Sequence, residues 1–230
     1  MINLMTSLYT KVIAIDGPAA SGKTSVGKMI AQKLKFNFLD TGIMYRGVTR
    51  AAIDSQVNFE NKSAITTFLE KMDLQIIFDH RQELSILLNN NDITKSLHTV
   101  EIDQNVAYFS TFKQIREFLV TQQREIANHN DIVMVGRDIG SVVVPDSIKI
   151  FLTASVLERA KRRHKELIDT GATIELSDIE ADLNMRDEVD SQRKESPLTI
   201  SRDATIVVSD GMNLEGVVNF ILNNILSRKL

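Results

Sequence analysis

No cysteine occurs among the 230 residues. Disulfides, thiolate catalysis and Cys-type zinc sites are therefore excluded, and a reducing, cytoplasmic setting is the expectation. No apolar run approaches the roughly 18 residues a membrane helix needs, so no membrane partner is expected. The first ten residues hold neither Lys nor Arg nor a long apolar stretch, and they do not read as a secretory signal. Charge of one sign is lacking too. There are 27 Lys and Arg against 30 Asp and Glu, a net charge of −3. That argues against a broad nucleic-acid footprint while leaving room for a local basic cleft. Aromatics make up 6%, hydrophobic residues 43% and charged residues 25%, which is the balance of a globular protein rather than a disordered, collagen-like or coiled-coil one. A chain of this length buries about 70–75% of its unfolded surface and needs no staples. No internal repeat or low-complexity segment is visible.

Five short apolar runs rich in β-favouring residues punctuate the chain: Val12 to Ile15, Phe36 to Leu39, Ile132 to Val135, Ile148 to Leu152 and Thr205 to Val208. Continuous runs of this kind suit strands buried on both faces of a parallel sheet. Between them lie helical patterns. Val26, Ile30 and Leu34 recur at i, i+4 and i+8 within Gly22 to Leu34. Ile115, Phe118, Leu119 and Ile126 share a face within Gln114 to Ile126, and Leu214, Val217, Val218, Ile221, Leu222 and Ile225 share one within Asn213 to Leu226. The alternation predicts an α/β fold in one domain spanning 1–230, a five-stranded parallel sheet with helices on both faces.

Two stretches interrupt that rhythm. Leu74 to Phe78 and Glu83 to Asn89 read as a hairpin turning near Asp79-His80-Arg81, with a short third strand at Asp92 to Thr94. They predict a small antiparallel insertion at about 60–110. Residues 156–198 hold two charged helices broken at Thr170-Gly171. So few apolar residues anchor them that they read as a mobile helical lid.

Gly17-Pro18-Ala19-Ala20-Ser21-Gly22-Lys23-Thr24 fits G-x-x-x-x-G-K-[ST] between a predicted strand and a predicted helix, the context that gives the motif meaning. Its glycines let backbone N–H groups approach phosphate oxygens, and the helix N-terminus adds positive potential at the same spot. Lys23 is expected to neutralise the β- and γ-phosphates of ATP, and Thr24 to offer its hydroxyl to Mg²⁺. A GTPase would need N-K-x-D. The Asn61-Lys62 pair continues Ser63-Ala64 and lacks the Asp. A small kinase remains, its acceptor bound beside the loop.

Ligands in open α/β sheets bind at the carboxyl ends of strands. Arg137 and Asp138 follow Ile132 to Val135 directly, and a charged pair there is costly unless it binds something. Arg46 follows Asp40-Thr41-Gly42 in the next predicted helix, and Arg116 stands on a helix nearby. Arg186, Asp190 and Arg193, spaced i, i+4, i+7, share one helical face. Such a trio alone is ordinarily a solvated ion-pair ladder. Combined with the loop, these residues suit phosphoryl transfer, which concentrates negative charge at one point. Asp40 can hold a water of the Mg²⁺ shell, or act as base in a kinase with a hydroxyl acceptor. Two rival readings stay open here: a kinase for another small acceptor, and a regulatory module that holds ATP without turning it over. The four histidines, at 80, 98, 129 and 164, fall outside the motifs and are expected at the surface.

Four segments together resemble the cytidylate kinase family: Ile15 to Thr24, Leu39 to Arg46, Gly136 to Asp146, and Arg186 to Arg193 with Ser196-Pro197-Leu198 behind. The resemblance runs from about residue 12 to residue 198 and includes the antiparallel insertion. It implies phosphorylation of CMP and dCMP by ATP with Mg²⁺, in a monomer acting on free nucleotides. It also implies roles. The acceptor phosphate would be held by Thr41, Arg46 and Arg137, joined by Arg193 as the lid closes. Ribose would lie against Arg186 and Asp190, cytosine against Asp138 and Arg116, and the adenine of ATP against Arg159. Lys23, Arg137, Arg186 and Arg193 would be catalytic. The chain departs from the pattern at Ala107, where the family has a Ser, with Ser110 one turn on as a partial substitute. It departs again at Leu97-His98, where the family has Ile-Arg.

Overall fold

The computed structural model describes residues 10–228 apart from 81 and 170. The first nine residues of the signal reading, Arg81 of the hairpin turn and Thr170 of the lid break lie outside the described residues. The elements in chain order are β1 (Val12–Asp16), α1 (Lys23–Leu34), β2 (Asn37–Asp40), α2 (Thr41–Asp54), α3 (Lys62–Lys71), β3 (Leu74–Phe78), β4 (Leu84–Leu88), β5 (Asn91–Asp92), α4 (Val100–Phe109), α5 (Lys113–His129), β6 (Ile132–Gly136), a single π-helical turn (Ile139–Val143), β7 (Ile148–Thr153), α6 (Val156–Asp169), α7 (Leu176–Gln192), β8 (Thr205–Val208) and α8 (Leu214–Asn224).

The five expected runs form one parallel sheet in the order β2-β6-β1-β7-β8. Strand alternation divides the core between its two faces. Val12, Ala14, Leu39, Ile132 and Met134 pack on one face with α2 and α5. Ile13, Ile15, Val133, Val135, Ile150 and Leu152 pack on the other, with Val26 and Ile30 of α1 and Val217, Val218 and Ile221 of α8. Each such Val, Leu, Ile or Met side chain, fully buried, contributes roughly 1.5–3 kcal/mol. β1 and β6 are buried along their whole length, so their carboxyl ends are fixed points from which loops emerge.

The insertion contains the hairpin, β3 paired antiparallel with β4 from Leu74↔Leu88 to Phe78↔Leu84. The third strand is shorter than expected and ends at Asp92. Thr94 leaves it for a 3₁₀ turn, held because its hydroxyl accepts from Ile86 N at 2.8 Å and its own N–H donates to Asp92 Oδ1 at 2.9 Å. Helices α3 and α4 flank the hairpin. Leu74, Ile86, Leu97, Ile102 and Phe109 are buried in the same cluster as α2 and α5, so the insertion continues the main core.

Helices α6 and α7, which the sequence reading expects as a mobile lid, hold more apolar anchorage than their charge suggests. Ala160, Ile179 and Leu183 are buried together with Ala19 of the phosphate loop. Arg193 lies one residue beyond α7 with extended backbone, where the spacing predicts a helical position. Among the described residues, no helix is long and apolar enough to cross a membrane.

Candidate active site

The loop Gly17–Thr24 turns tightly at the end of β1. A Cβ on Gly17 would stand 2.0 Å from the carbonyl oxygen of Leu152, so only glycine fits against β7. Gly22 enters α1 at φ 87, in the left-handed region. Lys23 is buried and donates to Pro18 O at 2.8 Å. Burial, and then the guanidinium groups of Arg137 and Arg186, push its ammonium well below the usual lysine range. A cation so placed gains strongly from a phosphate anion. Thr24 Oγ1 donates to Asp40 Oδ2 at 2.7 Å, while Asp40 Oδ1 caps α2 by accepting from Gly42 N at 3.0 Å. A hydroxyl and a carboxylate thus meet beside the loop, hard oxygen donors of the kind Mg²⁺ takes together with phosphate and water.

Across the cleft, the arginines read from the sequence come together, and Arg46, Arg116, Arg137 and Arg193 each meet a carboxylate. Arg137 Nε donates to Asp190 Oδ2 at 2.7 Å. Burial pushes the Asp190 carboxyl up, but Arg137, Arg193 and Arg186 outweigh it and hold the group below its usual range. Arg116 Nη2 meets Asp138 Oδ2 at 2.5 Å, and both side chains are buried. Arg116 also lies over the ring of Tyr45, 5.5 Å from its centre, and burial pushes the Tyr45 hydroxyl up to about 12. Arg193 stands 3.9 Å from Asp138 and 3.6 Å from Asp190. Its Nη2 and the Nε of Arg116 are buried with no hydrogen-bond partner, two donors left for a ligand. Arg186 is exposed and stands in the field of Arg137 and Arg46. Thr41 is buried, its hydroxyl donating to Val135 O at 3.0 Å. Arg46 reaches Leu97 O at 3.1 Å and Asp103 Oδ1 at 2.5 Å.

Arg159 is placed differently from a residue that stacks on a purine. It is 3% exposed, and its guanidinium donates to Ala154 O, Ala19 O and Asp187 Oδ2. It fastens α6 and α7 to the back of the phosphate loop. Ser110 does not present a free hydroxyl either. Its Oγ donates to Ala107 O, and its own carbonyl accepts from Arg116 Nη1 at 3.3 Å. At the other departure, Leu97 is core and His98 is exposed. Three histidines are exposed as expected, whereas His164 is half-buried, its Nε2 3.1 Å from Ile174 O.

The sequence reading missed Asp16, Tyr45, Asp103, Arg162 and Asp187. Arg162 donates to Ser21 O and Ser209 O and so braces the phosphate loop against the end of β8. Asp16 carried a usable signal, since an acid at the end of a buried strand is as costly as the Arg137-Asp138 pair. The other four are partners in three dimensions and carry none.

The profile of the cytidylate kinase family matches residues 13–227. The cytidylate kinase of Carboxydothermus hydrogenoformans is 42% identical over 219 residues, covering 94% of this chain and 97% of that protein. That of Leuconostoc mesenteroides is 40% identical over 219 residues, 93% and 97% of the two chains. A crystal structure of an uncharacterized protein from Eubacterium ventriosum shares the fold, with TM-score 0.50 and 16% identity over 95% of this chain and 99% of that one. A profile match along the whole sheet, and relatives this similar over their whole length, mean that the chain belongs to the cytidylate kinase family.

Proposed function

We propose that this enzyme transfers the γ-phosphoryl group of ATP to CMP and dCMP, giving ADP and CDP or dCDP. The observation that carries the reading is the buried Arg116–Asp138 pair, with the Nε of Arg116 and the Nη2 of Arg193 beside it, neither of them hydrogen-bonded. Cytosine offers an amino donor, which suits a carboxylate, and ring acceptors, which suit a guanidinium. Uracil reverses the first of these and would leave buried groups unpaired, a mismatch that discriminates strongly. Thr41, Arg46 and Arg137 would take the acceptor phosphate, and Arg186 and Asp190 the ribose.

The attacking oxygen belongs to a phosphate that is already anionic, so no general base is required. It forms the new bond to the γ-phosphorus in line as the bond to the β–γ bridging oxygen breaks, and ADP leaves. Lys23, on the loop Gly17–Thr24, neutralises the transferring oxygens. Arg137, Arg186 and Arg193 converge on the charge as the lid closes. Thr24, and Asp40 through water, would hold Mg²⁺, which screens the triphosphate when bound. A hydroxyl acceptor is the second reading, with Asp40 as base. It is disfavoured because both Asp40 oxygens are engaged, by Thr24 and by the Gly42 amide. The reading includes a monomer working on free nucleotides in the cytoplasm.

The test is ADP release with CMP, dCMP, UMP and AMP offered in turn. Release driven by CMP and dCMP is expected. Tight ATP binding with no release in any arm would favour a binding module, and release driven by AMP or UMP alone would move the acceptor assignment elsewhere.

A further inference from the structure

We infer that Asp16 is a positioning residue that fixes Arg137 and Asp138 in the acceptor cleft, by clamping the backbone directly behind them to the strand that carries the phosphate loop. The inference deepens the CMP-kinase reading and rests on it.

Asp16 is the last residue of β1, next to Gly17, and is 6% exposed. Its Oδ1 accepts from Ile139 N and its Oδ2 from Gly140 N, both at 2.8 Å. Those amides open the π-helical turn that follows Arg137-Asp138. Further along, Val142 N and Val143 N both donate to Asp138 O, at 2.9 and 3.1 Å. The turn is thus closed on Asp138 at one end and on Asp16 at the other. No side chain can intervene, for a Cβ on Gly140 would stand 3.4 Å from Asp16 Oδ2 and 2.8 Å from Lys149 Cγ. A buried carboxylate bound only to backbone amides does nothing for phosphate directly. What it does is set where the two preceding side chains emerge, and a misplacement of about 1 Å at a reacting site can lower rates 100-fold.

Ionisation matters to the clamp, because only the carboxylate offers both oxygens as acceptors. Burial pushes Asp16 up to about 6, against the pull of the two amides. Among charged neighbours, Asp138 raises it and Lys23 lowers it. The stem of Lys149 runs past Gly140, while its ammonium binds Asp203. Above about pH 6 the clamp is therefore complete, and below it one acceptor is lost.

The test is Asp16→Asn in the full chain. Asn keeps the shape but turns one oxygen into an NH₂ that faces a backbone N–H. With CMP, kcat should fall and KM should rise, each about tenfold, because Arg137 and Asp138 move together, while the KM for ATP stays within about twofold. Equal rises for both nucleotides, or none, overturn the inference. Should the variant fail to fold, the wild-type chain gives a second readout. Its Ile139 and Gly140 amide resonances should shift with a midpoint near pH 6. Binding of cytidine, which has no phosphate to titrate, should weaken on the acid side of that midpoint. Amides that do not titrate, or that titrate without weakening cytidine, overturn the clamp. A wild type that releases no ADP with CMP overturns the functional reading itself, so the two failures are distinct.

Discussion

The phosphate loop presents backbone to its ligand, whereas the facing wall of the cleft presents side chains. In the loop, eight consecutive residues suffice, and the requirements are small: glycine where Gly17 meets Leu152 O, a left-handed turn at Gly22, and one ammonium at Lys23. On the acceptor wall, Arg46, Arg116, Arg137, Asp138, Asp190 and Arg193 come from α2, α5, the end of β6, and α7 with its exit. There each arginine rests against a carboxylate. A local motif can fix a backbone shape. A wall of ion pairs exists only once the sheet, the insertion and the lid are assembled, and it can be rearranged by an incoming anion.

The first way to break this comparison is Lys23→Ala. If the loop's single buried cation carries the transferring charge, kcat should fall about 1000-fold, on the scale of losing one preorganised electrostatic donor. Retention of near-normal kcat would mean that the arginine wall alone does the chemistry. Next is Asp138→Asn, which leaves Arg116 buried without its anion. The kcat/KM for CMP should fall about 100-fold, within the range for truncating one partner of a buried hydrogen-bonded charge pair, and the KM for ATP should change less than about threefold. Equal losses on both substrates, in steady-state kinetics with each nucleotide varied, would mean that the two halves are not separable.

The same contrast explains what the sequence revealed. The five parallel strands, the hairpin and the helices α6 and α7 were legible because periodicity and turn residues are local signals, although β8 leaves Ile206 and Val208 exposed where its apolar run suggests burial on both faces. Arg137-Asp138 was legible because charge directly after a buried strand is anomalous. Helices α3 and α4 were not read, because their apolar positions complete a core shared with the hairpin and α2. The resemblance sets Arg159 against adenine, and nothing nearby in the chain announces that Ala19 and Asp187, 140 and 28 residues away, will bind its guanidinium. Asp103 is another partner that only the fold supplies.

Asp103→Asn sharpens the side-chain half. The Arg46–Asp103 pair is partly open to solvent, with Asp103 46% exposed, so its contribution should be no more than about 1 kcal/mol. The KM for CMP should change less than about fivefold, in a direction that tells what the carboxylate does. A rise means that Asp103 orients Arg46 for the phosphate. A fall means that it competes with the phosphate for the same guanidinium.

The smallest effect lies in the backbone half, at the one loop residue whose side chain opposes its backbone. Ala20 has φ 56, in the left-handed region that a Cβ disfavours by roughly 1–2 kcal/mol. Ala20→Gly removes that opposition but gives the unfolded chain more freedom, an opposing term of about 0.4–1 kcal/mol. It also deletes a methyl packed at the edge of the cluster formed by Ala19, Ala160, Ile179 and Leu183. The balance should favour glycine by about 0.5 kcal/mol, a rise in Tm of about 1–2 °C for a chain of this size, read by calorimetry. A fall in Tm would mean that the Ala20 methyl holds the lid on the loop more firmly than its backbone resists, and the loop could no longer be treated as backbone alone.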